Sequence, residues 1–100
     1  VRVFNTNTLL AFGKEHAGSE RAFRELTKTL RQASWGSFQD VEKAYPLSRS
    51  VKGDRVVFNV KGNEYRVVAA MDYKRKGVFI KFVGTHAEYD RIDPVTVNRY

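Results

Sequence analysis

One hundred residues, 42% of them hydrophobic and 13% aromatic, suffice for one packed core and leave no room for two. Eighteen Lys and Arg against eleven Asp and Glu give a formal charge of +7, which favours polyanionic partners. With no cysteine, disulfide frameworks, thiolate metal sites and cysteine nucleophiles are excluded; two histidines argue against a multi-histidine metal site, and no cofactor is expected.

Arg2-Val3-Phe4 reads as a short leading strand, and the first residues, Val1 to Phe4, lack the apolar stretch expected of a signal peptide. Asn5 to Thr8 offers several N-cap candidates ahead of Leu9, Leu10 and Phe12. They predict a helix ending near His16, before the Ala17-Gly18-Ser19 break. A histidine suits the carbonyl end of a helix, so His16 gets a structural reading. Ser19 is the predicted cap of a second helix that runs to about Ser34. Its Phe23, Leu26, Leu30 and Ala33 fall on one stripe, with Arg21, Arg24, Lys28 and Arg31 opposite. That basic face is either an ordinary solvated surface or, through Arg24, Lys28 and Arg31, a surface that meets RNA or an acidic partner. Ser37-Phe38-Gln39-Asp40 resembles a capping box, opening a short helix that Tyr45-Pro46 closes. Residues 46–54 read as an irregular, polar connection.

Lys61-Gly62-Asn63 is a tight-turn signal between two strands, 55–60 and 64–71. A two-residue turn at Lys61-Gly62 sets Val60 opposite Asn63, Phe58 opposite Tyr65 and Val57 opposite Arg66. One surface then collects Val56, Phe58, Val60, Tyr65, Val67, Ala69 and Met71. The other carries Arg55, Asn59, Glu64 and Arg66, with Val57 and Val68 among them. A third strand, 78–83, follows the basic loop from Tyr73 to Gly77. A turn over 73–76 places Lys81 opposite Val68 on the polar surface and sends Val78, Ile80 and Phe82 to the apolar one. The longest apolar run, Val67 to Met71, is far too short to span a membrane, so one soluble, cytoplasmic domain over 1–100 is expected.

Helices covering the apolar surface give a two-layer α+β domain with a small, mainly antiparallel sheet. The remaining face presents Arg55, Asn59, Arg66 and Lys81 on rigid strands, an anion-binding floor. The aromatic residues mostly alternate into the core, so no base-stacking platform of the RNA-recognition type is expected. His86 lies just beyond the third strand, in Gly84-Thr85-His86-Ala87-Glu88-Tyr89-Asp90. Thr85 or Asp90 can orient it, and Tyr89 follows one helical turn later. A structural ring and a proton-handling ring both fit that spacing. Asp90 and Asp93 beside His86 make a poor metal site in so basic a setting, and no phosphate loop or dinucleotide fingerprint is present.

The stretches from Arg55 to Val68 and from Phe79 to Asp90 resemble the HigB (host inhibition of growth) family of RelE-type bacterial toxins. Arg2 to Asn5, the helical pair and the Tyr45-Pro46 break fit the same layout, so the resemblance spans nearly the whole chain. It implies a RelE-like fold and the toxin of a type II toxin–antitoxin system, partnered by a helix-turn-helix, HigA-like antitoxin. It also implies an endoribonuclease that enters the ribosomal A site and cuts mRNA without a metal, by attack of a ribose 2′-hydroxyl on the adjacent phosphate. Such chemistry needs a base, a proton donor and cations around the phosphorane. In this chain Arg66 and Lys81 would stabilise phosphate charge, with Lys81 able to handle a proton. His86 and Tyr89 would supply acid–base or orienting functions, and Arg55 and Asn59 would hold RNA. Which group is the base stays open. The alternative is a basic RNA- or ribosome-binding domain without catalysis, a degenerate toxin that needs the cations but not His86 and Tyr89. A structural partner in a repressor complex is a further alternative.

Overall fold

In the computed structural model, which describes residues 2–100, the chain runs β1 (Arg2–Phe4), α1 (Thr6–Glu15), α2 (Glu20–Gln32), α3 (Phe38–Ala44), β2 (Ser48–Val51), β3 (Arg55–Val60), β4 (Tyr65–Asp72), β5 (Gly77–Thr85) and α4 (His86–Tyr89). The strands form one sheet in the order β1-β5-β4-β3-β2, antiparallel except where β1 lies parallel to β5. This is the expected two-layer α+β architecture. The α2 stripe of Phe23, Leu26 and Leu30, with Leu9 of α1 and Val41 of α3, packs on Val56, Phe58, Val60, Val67, Ala69, Val78 and Ile80. Each fully buried Val, Leu, Ile or Phe among them stabilises the fold by about 1.5–3 kcal/mol.

Three local expectations are corrected. Residues 46–54 are not all irregular: Ser48–Val51 is an edge strand paired with β3, obscured in the sequence by Pro46 and two serines. The β3–β4 turn takes four residues, so that Val60 pairs with Tyr65, Phe58 with Val67 and Asn59 with Arg66. Lys61 and Gly62 both adopt left-handed φ, 53° and 65°, and the Glu64 N–H closes the turn on the Lys61 carbonyl. Because the pairing moved by two positions, every side chain kept its face. At Ser19, the hydroxyl caps nothing; it donates back to the His16 carbonyl at 2.6 Å.

A fourth correction decides the shape of the other face. β5 carries a bulge: Val68 pairs with Phe82 but Ala69 pairs with Ile80, leaving Lys81 over. The extra residue reverses the alternation. Phe82 therefore turns away from the helices and, with Val57 and Val68, forms a second small core against Ile92, Val97 and Tyr89. The C-terminal segment crosses that face and is tied down by Arg55, whose Nη1 donates to the carbonyls of Pro94 (3.1 Å) and Val97 (2.6 Å). The predicted open floor is thus roofed over its middle.

Gly84 allows this packing. A Cβ there would stand 2.6 Å from Cζ of Phe82, a ring with no exposed surface, so the second core would have to shift. Gly84→Ala is expected to cost about 1–3 kcal/mol of stability, the usual range for overpacking a filled core, measured by chemical or thermal unfolding. A parental melting temperature would show that the second core tolerates displacement of Phe82.

Candidate functional site

What remains open on that face is a cleft of about 300 Å³ lined by Pro46, Leu47, Ser48, Arg49, Asn59, Arg66 and Tyr89. The strand registers assemble it. Asn59 and Arg66 lie directly opposite each other on β3 and β4, and Arg49 is paired with Val57 on the neighbouring strand. Tyr45, whose hydroxyl donates to the Asn59 carbonyl at 2.7 Å, fixes the β3 backbone from the core side. Burial, aided by the Glu25 charge, holds that phenol above its ordinary pKa and keeps it a donor.

Tyr89 reaches the cleft from α4, a single turn whose existence depends on its start. Thr85 Oγ1 accepts the Glu88 N–H at 3.2 Å, while Glu88 Oε1 accepts the Thr85 N–H at 2.9 Å, a complete capping box. The His86 N–H also donates to the Glu64 carbonyl, pinning the turn to the β3–β4 hairpin. The Thr85 N–H holds the Glu88 carboxyl below its usual carboxylate range. A depressed carboxylate contributes stability above its ordinary pKa and loses it as pH falls through the depressed value. Thr85→Val is expected to cost about 1 kcal/mol at neutral pH, and Glu88→Gln to flatten the acid limb of the stability curve. Denaturant titrations of both variants at neutral and acidic pH check this; an unchanged acid limb in Glu88→Gln would contradict it.

Arg66 is the one charged residue buried among the described residues, 8% exposed, and none of their carboxylates pairs with it. Its Nη1 donates to the carbonyls of Asn63 (3.2 Å) and Tyr65 (3.3 Å), and its Nη2 donates to Asn63 Oδ1. These acceptors orient the guanidinium without neutralising it. The guanidinium lies 5.6 Å from the centroid of the Tyr89 ring, while Arg49 Nη2 donates to the Tyr89 hydroxyl. Tyr89 therefore stands between two cations. Since its oxygen accepts from Arg49, its own hydrogen is left to donate elsewhere. Two guanidiniums and a phenol at one cleft suit a phosphoryl group and the added charge of its transition state.

Of the other predicted residues, none lines the cleft. Lys81 Nζ donates to Asn98 Oδ1 at 3.0 Å, and Arg55 clasps the C-terminal segment. His86 opens α4 with its Nδ1 3.5 Å from Asp90 Oδ2, so Asp90 orients it and Thr85 serves the cap instead. Arg24, Lys28 and Arg31 are exposed on the outer face of α2, in the opposite layer from the cleft. His16 is structural, as expected: Nδ1 meets the Phe12 carbonyl at 2.8 Å and the ring stacks on Phe12. Arg49 was missed, because the only signal was one arginine between two serines in a stretch read as loop. Among the described residues no three His, Asp or Glu side chains gather as a metal site would require, and no helix is long and apolar enough to cross a membrane.

Residues 19–92, which include Arg49, Asn59, Arg66 and Tyr89, match a family model described as HigB_toxin, the RelE-like toxic component of a toxin-antitoxin system. The chain is also similar to a protein of Escherichia coli O6:H1 (strain CFT073), mRNA interferase HigB. The two are 25% identical over 81 residues, which cover 79% of each chain.

Proposed function

The chain belongs to the HigB toxin family, the RelE-like toxic components of toxin–antitoxin systems, and from that premise we propose that it is a ribosome-dependent mRNA interferase. The observation that carries this reading is the buried guanidinium of Arg66, without a carboxylate partner, at the floor of an open cleft. Burying a cation is costly unless something offsets it. A site that keeps one unneutralised is organised to receive an anion.

In the proposed reaction a ribose 2′-oxygen attacks the adjacent phosphorus while the bond from phosphorus to the 5′-oxygen breaks. The upstream fragment ends in a 2′,3′-cyclic phosphate or its hydrolysis product. Arg66 and Arg49 stabilise the phosphorane charge, so a metal ion is not called for. The Tyr89 hydroxyl donates a proton to the departing 5′-oxygen. His86, one turn before Tyr89 and backed by Asp90, takes the 2′-hydroxyl proton. Asn59 offers an amide to sugar or base. Lys81 and Arg55 act at the border of this centre, adding positive charge and holding the segment that roofs the sheet. The partner that silences the toxin is a helix-turn-helix antitoxin.

Incubation of the purified chain with programmed ribosomes, followed by mapping of message ends, tests the reading. Cyclic-phosphate ends within the A-site codon are expected. Tight ribosome binding with intact message would instead identify a non-catalytic binder.

The basic face of α2 lies too far round the molecule to act on the same phosphate, which leaves it a binding role toward ribosomal RNA. Arg24→Ala, Lys28→Ala and Arg31→Ala combined should weaken ribosome binding and lower its log–log salt slope by roughly 2–3, near one released counterion per charge. Single-turnover cleavage of message already bound should persist. Unchanged binding would return that face to ordinary solvation.

A further inference from the structure

Two of the seven phenylalanines, Phe4 and Phe79, lie outside both apolar clusters, against the expectation that the aromatic residues mostly serve the core. Phe4 of β1 and Phe79 of β5 are register partners. They stack with centroids 4.7 Å apart and planes within 4° of parallel. Val3, Val78 and Ile80 point to the helices, so alternation sends Phe4 and Phe79 to the opposite face, the one that carries Asn59 and Arg66. Phe4 is 41% exposed at the sheet edge, so one face of the stack is open.

The surroundings are cationic. Arg2 and Arg75 line a depression of about 220 Å³ with the two rings, and Lys74 and Tyr73 line one of about 500 Å³ on the other side of Phe79. The Lys81 ammonium lies 5.9 Å from the Phe79 centroid. Two carboxylates share these depressions: Asp72, which accepts the Arg75 N–H at 3.1 Å, and Asp54, which lines the larger one. A stack of flat rings with one open face, flanked by Arg and Lys, is the arrangement that holds single-stranded nucleic acid: a base extends the stack and the cations meet its phosphates.

We propose that the Phe4–Phe79 stack is a nucleobase subsite for single-stranded RNA, separate from the cleft, which holds the message to one side of the cut. The proposal rests on the mRNA-interferase reading and adds a second contact to it. Phe79 pairs with Ala70, four residues along β4 from Arg66, or about 13 Å at about 3.3 Å per residue. Between them stand Lys81 of β5 and, from the C-terminal segment that roofs Phe82, the Arg99 guanidinium, 4.9 Å from the Phe82 centroid. One continuous RNA strand can therefore touch both sites along a basic path.

The test uses the full chain without ribosomes and a short unstructured RNA carrying 2-aminopurine, whose fluorescence is quenched on stacking. The parent should bind and quench it. Phe4→Leu, which keeps an apolar side chain on β1, should weaken binding about 5- to 100-fold, the worth of one stacked base, and remove the quenching. Phe4→Trp should restore both. RNA binding and quenching by Phe4→Leu at the parental level, or no RNA binding by the parent, would overturn the proposal. So would a Phe4→Leu variant that holds RNA normally but loses its antitoxin, which would make the patch a protein-docking surface. If the stacking result holds while the parent leaves ribosome-bound message uncut, the subsite stands and the nuclease reading falls.

Discussion

Arg66→Ala should all but abolish message cleavage and weaken ribosome binding in the same step. The guanidinium meets the phosphate both before and during the reaction, so its loss lowers ground-state affinity and transition-state stabilisation together. Removing one pre-organised donor to a developing oxyanion typically costs about 10²–10³ in rate, and a desolvated charge belongs at or beyond the top of that range. The substitution also touches the fold. Asn63 Oδ1 and two carbonyls lose their donor, but Asn63 is exposed and water can take the donor's place, so each lost bond costs about 0.5–1.5 kcal/mol at most. Cleavage must therefore be normalised to the folded fraction, measured by circular dichroism on the same preparation. Arg66→Lys separates charge from geometry: it keeps the cation but loses the planar fork that Asn63 orients, and should recover only part of the rate. A folded Arg66→Ala protein that cuts message at near-parental rate would remove Arg66 from the chemistry.

How far this site could be read beforehand follows from particular residues. The face of Asn59 and Arg66 was legible, because alternation along β3 and β4 survives any even slip of register. Their direct pairing was not, since it depends on Lys61 accepting a left-handed φ that favours glycine. Phe82 was placed on the wrong face for a related reason. A bulge leaves no mark in apolar alternation until the partner strand is known, and one extra residue at Lys81 reverses everything after it. Roofing of the second core was equally hidden, because Ile92 and Val97 are isolated apolar residues in a polar segment. Tyr89 and His86 were visible as chemistry, but only the capping box at Thr85 and Glu88 determines which of them faces the cleft. Arg49 depends on a four-residue edge strand that carries almost no periodic signal. The elements with many repeats of their own pattern were readable; those defined by one contact with a distant segment were not.

Tyr89→Phe should leave a folded protein that binds ribosomes about as well as the parent and cuts message roughly 10²–10⁴-fold more slowly, the usual worth of a positioned proton donor. The ring stays beneath Arg66 and against Phe82, so the substitution removes only the hydroxyl that Arg49 orients. His86→Ala spares the capping box and the helix. It loses only a solvent-exposed contact with Asp90, worth about 0–1 kcal/mol. If His86 takes the 2′-hydroxyl proton, that variant too should slow by about 10² or more with its melting temperature preserved. A structural role predicts the reverse pattern, with lower thermal stability and normal cleavage per folded molecule. The two residues need not fall together. Tyr89 lines the cleft and His86 does not, so a large loss in Tyr89→Phe alone would keep the acid and move the base to another group or to solvent. Near-parental cleavage by folded Tyr89→Phe would be the more damaging result. It would leave two guanidiniums and an amide around the phosphate, enough to bind message but with no group in the cleft to protonate the departing 5′-oxygen.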